Sequence, residues 1–252
     1  MKKLIIAAAV VLIGLQAGAV LAAEGKAPPE RDWSFSGIFG SFDRGAMQRG
    51  LQVYREVCSG CHSLRLIAFR NLAALGYGED EIKALAAEYT VEDGPDEEGE
   101  MFERPGLPAD RVPSPFPNVK AAAAANNGAV PPDLSLMTKA RDGGADYLHG
   151  LLTGYAEPPS DLEVLEGQNY NLYFPGNMTA MAEPLFEDAV EYGDGTAATA
   201  EQMASDVTTF LAWTAEPEME DRKRMGIKVI LFLLVFTAVL YAVKRKVWAD
   251  LH

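Results

Sequence analysis

Cys58-Ser59-Gly60-Cys61-His62 constrains this chain more than any other stretch. Two thiols three residues apart, with an imidazole beside the second, form the attachment signature of a c-type haem. Each thiol can add across a haem vinyl group to give a thioether. The adjacent His62 then supplies one axial nitrogen to the iron. A fold built on this motif must wrap a porphyrin and leave an edge for electron exchange. Two other readings use the same residues: a thioredoxin-like dithiol and half of a zinc site. The dithiol wants a strand-then-helix context, and the pattern predicts none. Zinc needs further ligands, and beyond this motif only His149 and His252 remain. Both cysteines of the chain lie in the motif, so a haem-loaded chain has no thiol left for a structural disulfide.

The ends of the chain argue for export and a membrane. Residues 1–23 read as a secretory signal peptide: Lys2 and Lys3, an apolar run from Leu4 to Leu15, then small residues with a cut after Ala22 or Ala23. The competing reading is an uncleaved anchor. Near the other end, residues 226–243 form an 18-residue apolar stretch interrupted only by Lys228. That is the short edge of a transmembrane helix, and the Lys228 amine can snorkel. Arg222-Lys223-Arg224 and Lys244-Arg245-Lys246 flank it in balance. Orientation therefore follows from the exported amino end. The haem domain, residues 24–221, is expected on the periplasmic side of the inner membrane, with residues 244–252 as a cytoplasmic tail.

Charge narrows the partners. The formal net charge is −14, and residues 24–221 hold 13 basic against 35 acidic side chains. Nucleic acid is excluded on this ground, and a basic protein partner is favoured, because opposite fields speed encounter. Seven of those acids fall between Glu92 and Glu103 with no base among them. A solvated loop accounts for such a run; a docking field for a basic partner is the functional alternative.

Periodicity predicts a mainly helical fold with long loops. Lys26 to Phe42 reads as a packed extended arm carrying Trp33, Phe35, Phe39 and Phe42. Asp43 can cap a helix whose stripe is Met47, Leu51, Tyr54 and Val57, with the haem motif at its C-terminal end. Residues 63–90 read as helical with breaks at Gly76 and Gly78, residues 105–117 as a proline-rich loop, and Ala121 to Asn127 as an Ala-rich turn. Helices are expected over 134–140 and 144–153, and an irregular stretch over 157–176. Thr199 with Gln202 matches a capping box ahead of a helix whose apolar face is Met203, Val207, Phe210, Leu211 and Thr214. No alternating strand pattern stands out.

A low-spin electron-transfer haem needs a second axial ligand, and thioether sulfur opposite imidazole raises the potential. Met178 and Met181 lie in a loop that could present either one. Met137 and Met203 sit on apolar helix faces, and His149 reads as a core or surface histidine. Composition leaves the choice between Met178 and Met181 open.

Taken together, the segments resemble the cytochrome c1 family, the haem subunits of quinol–cytochrome c reductase (the bc1 complex), of bacterial type. The resemblance rests on Trp33-Ser-Phe-Ser-Gly-Ile-Phe-Gly40, Arg49-Gly-Leu-Gln-Val-Tyr54, Pro131-Pro-Asp-Leu-Ser135, Leu151-Leu-Thr-Gly-Tyr-Ala-Glu-Pro-Pro159, and Ala215-Glu-Pro-Glu218 before the apolar span. It implies a cytochrome c-like haem domain with one C-terminal transmembrane helix and one covalent haem c. It also implies that Met181, before Ala-Glu-Pro, is the second iron ligand, and that Arg141 and Tyr147 contact a haem propionate. A guanidinium and a phenol suit a carboxylate. The implied function is one-electron relay from a Rieske iron–sulfur protein to a basic cytochrome c, with cytochrome b as membrane partner in a dimeric complex. No catalytic residue of its own is implied. The alternatives are an independent membrane-tethered cytochrome c shuttle, a haem-based sensor, and a subunit of another enzyme such as a terminal oxidase.

Overall fold

Asp43 opens the first helix as its side chain predicts. In the computed structural model, which describes residues 26–249, the Asp43 carboxylate accepts from the Ala46 N–H at 3.0 Å. This satisfies one of the donors that a helix start leaves unpaired. Helix α1 follows over Arg44–Val53 and buries Met47, Gly50, Leu51 and Val53. It winds without a break into one π turn, Tyr54–Cys58. Single π turns inside helices are frequent at functional sites, and this one ends on the first cysteine of the motif. The expected signal peptide, residues 1–23, and the last residues of the tail lie outside the described residues.

The 63–90 region is less helical than its periodicity predicts. Residues 62–68 are irregular, then a 3-10 segment spans Phe69–Leu75 and α2 spans Glu79–Ala87. A left-handed Gly76, at φ +102°, separates the two. Strands occur where no alternation announces them. β1 (Thr90–Asp93) pairs antiparallel with β2 (Phe102–Pro105), so the acidic run is a hairpin rather than a plain loop. The Ala-rich segment is a helix, α3 (Val119–Ala125), because the Asn118 side chain caps it through the Ala121 N–H. Next come α4 (Met137–Ala140), a single turn shorter than expected, and α5 (Gly144–Thr153), as expected. β3 (Asn169–Tyr170), inside the long irregular stretch, pairs with β4 (Met178–Thr179) just beyond it.

Helix α6 (Ala200–Ala215) is the centre of the core. Thr199 caps it by accepting from the Gln202 N–H at 3.1 Å. Periodicity predicts one apolar face, yet every residue from Asp206 to Ala215 is buried. The reason is that α1, α4 and α5 all pack on α6 and enclose it. The approach of α1 is close: a Cβ on Gly50 would stand 2.1 Å from the Asp206 carbonyl oxygen. Beside that contact Arg49 Nε and Nη2 donate to both carboxylate oxygens of Asp206, at 2.9 and 3.0 Å.

Helix α7 (Met219–Val247) runs 29 residues and takes in both basic flanks. At ~1.5 Å per residue it is about 43 Å long, more than a hydrocarbon core needs. Its most apolar 18 residues have a mean hydropathy of 2.4, and none is buried against the rest of the chain. The extended arm is packed as expected through Trp33, Phe35 and Phe42, which stack in series. Phe39 departs from that expectation and is 86% exposed.

Candidate haem-binding site

The π turn delivers Cys58, Cys61 and His62 to one corner. The His62 and Cys61 N–H groups both donate to the Cys58 carbonyl, at 2.9 and 3.1 Å, closing the loop between the two thiols. Cys58 is half-buried and Cys61 exposed, and both are free thiols. Burial pushes the Cys58 thiol up to about 12, and the neighbouring Cys61 adds to the shift. A redox dithiol needs the opposite, a nucleophilic cysteine with a lowered pKa. Among the described residues, no group of three or more His, Cys, Asp or Glu side chains is arranged to hold a metal ion.

His62 is oriented by a segment distant in sequence. Its Nδ1 lies 2.8 Å from the Pro132 carbonyl oxygen. A carbonyl only accepts, so Nδ1 carries the proton and the Nε2 lone pair is left free. Burial lowers the imidazole pKa, with the Pro132 carbonyl and the Asp133 carboxylate opposing. The ring is therefore neutral at neutral pH, the form that ligates iron. Metal-bound histidines are held in this way in general.

Asp133 fixes the geometry behind that contact. Its carboxylate accepts from Ser63 Oγ at 2.7 Å and the Arg65 N–H at 2.9 Å, and its second oxygen from the Ser135 N–H at 3.0 Å. Burial would raise the Asp133 pKa, and these donors outweigh it and lower it. The Leu134 N–H adds a bond to the Ser63 carbonyl at 2.9 Å, and Tyr54 Oη donates to the His62 carbonyl at 3.1 Å. Pro132, Asp133 and Tyr54 are not among the site residues that the sequence predicts. One signal is present in it: Asp two residues before Ser, the pattern of an Asx turn.

The other residues that the resemblance implies for the site lie at the end of α4, on α5 and just after β4. Tyr147 is buried on α5. Burial raises its phenol pKa, while the nearby Arg141 guanidinium draws it down; Arg141 Nη1 itself donates to the Ala140 carbonyl at 3.2 Å. Tyr155 Oη donates to the Met181 carbonyl at 3.0 Å, and the Met181 N–H donates to Thr179 Oγ1 at 3.2 Å. The backbone of Met181 is thus held on both sides, with its side chain half-buried. Met178 instead belongs to β4, paired with Tyr170. His149 is 5% exposed on α5, its ring against Trp33, which makes it a core residue.

The residues fit a c-type haem: two free thiols close together, an imidazole with only Nε2 open, and exposed apolar side chains at Val130 and Leu136 on either side of the His62 contact. A sequence model described as the Cytochrome C1 family matches residues 33–251. The chain belongs to the cytochrome c1 family. It is 51% identical to a cytochrome c1 of Rhodospirillum rubrum, over 99% of this chain and 97% of that protein. It is also 51% identical to a Candida albicans protein named cytochrome b-c1 complex catalytic subunit, over 94% of this chain and 83% of that one. Its 51% identity to cytochrome b/c1 of Bradyrhizobium diazoefficiens covers 89% of this chain but 36% of that longer protein. As a member of the cytochrome c1 family, the chain has a mainly helical domain followed by one long apolar C-terminal helix.

Proposed function

We propose that this chain is the membrane-anchored c-type cytochrome subunit of a quinol–cytochrome c reductase. It relays one electron from a Rieske iron–sulfur protein to a basic soluble or tethered cytochrome c. The observation that carries the reading is the His62 imidazole, its Nδ1–H directed at the Pro132 carbonyl and Nε2 left free, at the end of a turn bearing two thiols. When bound, one haem c supplies a one-electron ferric–ferrous couple. Cys58 and Cys61 would hold it through thioethers. His62 Nε2 and the Met181 thioether would ligate the iron, a pair that favours the ferrous form. The choice of Met181 over Met178 is supported by its backbone anchoring beyond the β4 ladder. Arg141 and Tyr147 would bind a propionate carboxylate. No bond of a substrate is made or broken by this subunit, so it needs no general acid, base or nucleophile.

Residues 1–23 would be removed as a signal peptide. The domain 24–221 would stand on the periplasmic face of the inner membrane, residues 226–243 would cross it beside cytochrome b, and residues 244–252 would remain in the cytoplasm. The name of the Candida relative supports assembly with cytochrome b, and a dimeric complex goes with that reading. A freely swinging tethered shuttle is disfavoured by the junction between domain and span. Only Glu216, Pro217 and Glu218 separate α6 from α7. Glu216 is bound at 2.5 Å by both Lys139 and Arg222.

The test is a reduced-minus-oxidised spectrum of purified membranes, with quinol added in the presence and absence of a quinol-oxidation-site inhibitor. The expected result is a covalent c-type signal that quinol reduces and the inhibitor blocks. Reduction regardless of inhibitor would mean a separate carrier, and absence of covalent haem would remove the reading altogether.

A further inference from the structure

The segment Gly37-Ile38-Phe39-Gly40 exposes two large apolar side chains on a turn built to hold them out. Ile38 is 71% and Phe39 86% exposed. Gly37 has φ +71°, a backbone conformation that a side chain resists. At Gly40 a Cβ would fall 2.0 Å from the Ser36 carbonyl oxygen. The base of the turn is closed by Ser41 N–H to the Ser34 carbonyl at 3.0 Å and Ser36 N–H to the Trp33 carbonyl at 2.9 Å. The Trp33–Phe35–Phe42 stack lies beneath it. The tip is therefore rigid, and its exposure is not the fraying of a loose loop.

Its place along α7 gives the exposure a meaning. The Phe42 N–H donates to Glu220 at 2.8 Å. Further toward the tip, the carbonyls of Gly40 and Phe35 accept from Lys223 Nζ at 3.0 and 2.8 Å. Lys223 lies three residues beyond Glu220, about 4.5 Å along the helix axis, so the tip side of the arm is bonded to a residue nearer the apolar part of α7 than its base is. The exposed apolar surface of α7 starts at Met225, two residues beyond Lys223.

We propose that this turn is a second membrane contact, with Ile38 and Phe39 seated in the headgroup–acyl boundary of the bilayer beside α7. The proposal rests on α7 being a membrane span. Continuity with the α7 surface favours lipid as the occupant. So does size: two side chains suit shallow insertion, whereas a stable protein interface wants ~1,000 Å² or more. Two contacts would stop the domain from swinging about α7.

The test places para-fluorophenylalanine singly at Phe39, Phe186 and Phe232 of the full-length, haem-loaded, reduced chain in phosphatidylcholine–phosphatidylglycerol vesicles. Fluorine NMR line widths are read with nitroxide-labelled lipid and with a water-soluble gadolinium chelate. The expected result is that Phe39 follows Phe232, broadened several-fold more by the lipid label than by the chelate, while Phe186 shows the reverse. If Phe39 follows Phe186 while Phe232 follows the lipid, the proposal is overturned and the span stands. If the chelate also broadens Phe232, the span fails and the proposal falls with it. A Phe39 that the chelate reaches in the isolated chain, and that neither reagent reaches in the assembled complex, would make the occupant a protein and overturn the lipid assignment.

Discussion

Replacing Arg49 by Met tests what joins α1, the helix that leads to the Cys58 motif, to the core. Arg49 gives two hydrogen bonds to Asp206, at 2.9 and 3.0 Å, and a third to Asp194 at 2.9 Å. The Asp206 side chain is 1% exposed and that of Arg49 19%. With Met at position 49, Asp206 would keep Gln202 Nε2, at 3.0 Å, as its remaining side-chain donor. An uncompensated buried charge of this kind costs about 3–5 kcal/mol. That is a large share of the ~5–15 kcal/mol that holds a typical domain folded. The assay is guanidinium unfolding of the haem-loaded chain in detergent, followed by far-ultraviolet circular dichroism. Adding Asp206→Asn to Arg49→Met should recover part of the loss, because it removes the stranded charge. A loss below about 1 kcal/mol for Arg49→Met alone, the range of exposed pairs, would refute the reasoning.

Four further outcomes are expected. Gly50→Ala should destabilise the same helix crossing by about 1–3 kcal/mol or more, read in the same unfolding assay, since its Cβ has no room beside the Asp206 carbonyl. Met181→Leu should lower the haem potential sharply while Met178→Leu leaves it in place, measured by redox titration; the reverse pattern would move the ligand to Met178. Changing the exposed Glu92, Glu97, Glu98, Glu100 and Glu103 to Gln should weaken the salt dependence of reduction of a basic cytochrome c, and unchanged dependence would make the hairpin a solvated element only. Burial lowers the His149 pKa, with Glu201 opposing, Arg31 reinforcing and Asp146 opposing. Its unfolded form therefore binds more protons, and stability is lost as pH falls from about 6.5; His149→Gln should flatten that slope in thermal melts.

What can be read from sequence is local. Asp43 and Thr199 cap their helices because a short oxygen-bearing side chain at that position satisfies nearby donors whatever the rest of the chain does. The other half of the capping box fails for a tertiary reason: Gln202 turns to Asp206, a buried carboxylate in need of donors. The π turn and the Pro132 contact are not legible either. The first is a backbone feature of a stretch whose Tyr54 is buried in the core, and the second joins residues 70 positions apart. The strands escape notice because each is four residues or fewer and defined by backbone pairing. Phe39 is misplaced by sequence reasoning because an aromatic in an arm ordinarily packs, and only the contacts of its neighbours with α7 reveal what lies beside it.

Other contacts tie the candidate haem site to α7 through few links. Lys139 is on α4, between the Pro132 carbonyl that orients His62 and the Arg141 guanidinium beside Tyr147. Its amine binds Glu216, and Glu216 also binds Arg222 of α7. On the other side of the domain, Arg44 at the start of α1 binds Glu220 of α7 at 2.7 Å, and the π turn that continues α1 ends on Cys58. Each exposed pair alone contributes little. Their arrangement matters more: the two elements that hold His62, one on each side, are both fastened to the first turn of the same helix. The proposed relay, with one partner in a membrane complex and another in solution, would benefit from a site whose height and tilt are set in this way, since both exchanges would depend on distance.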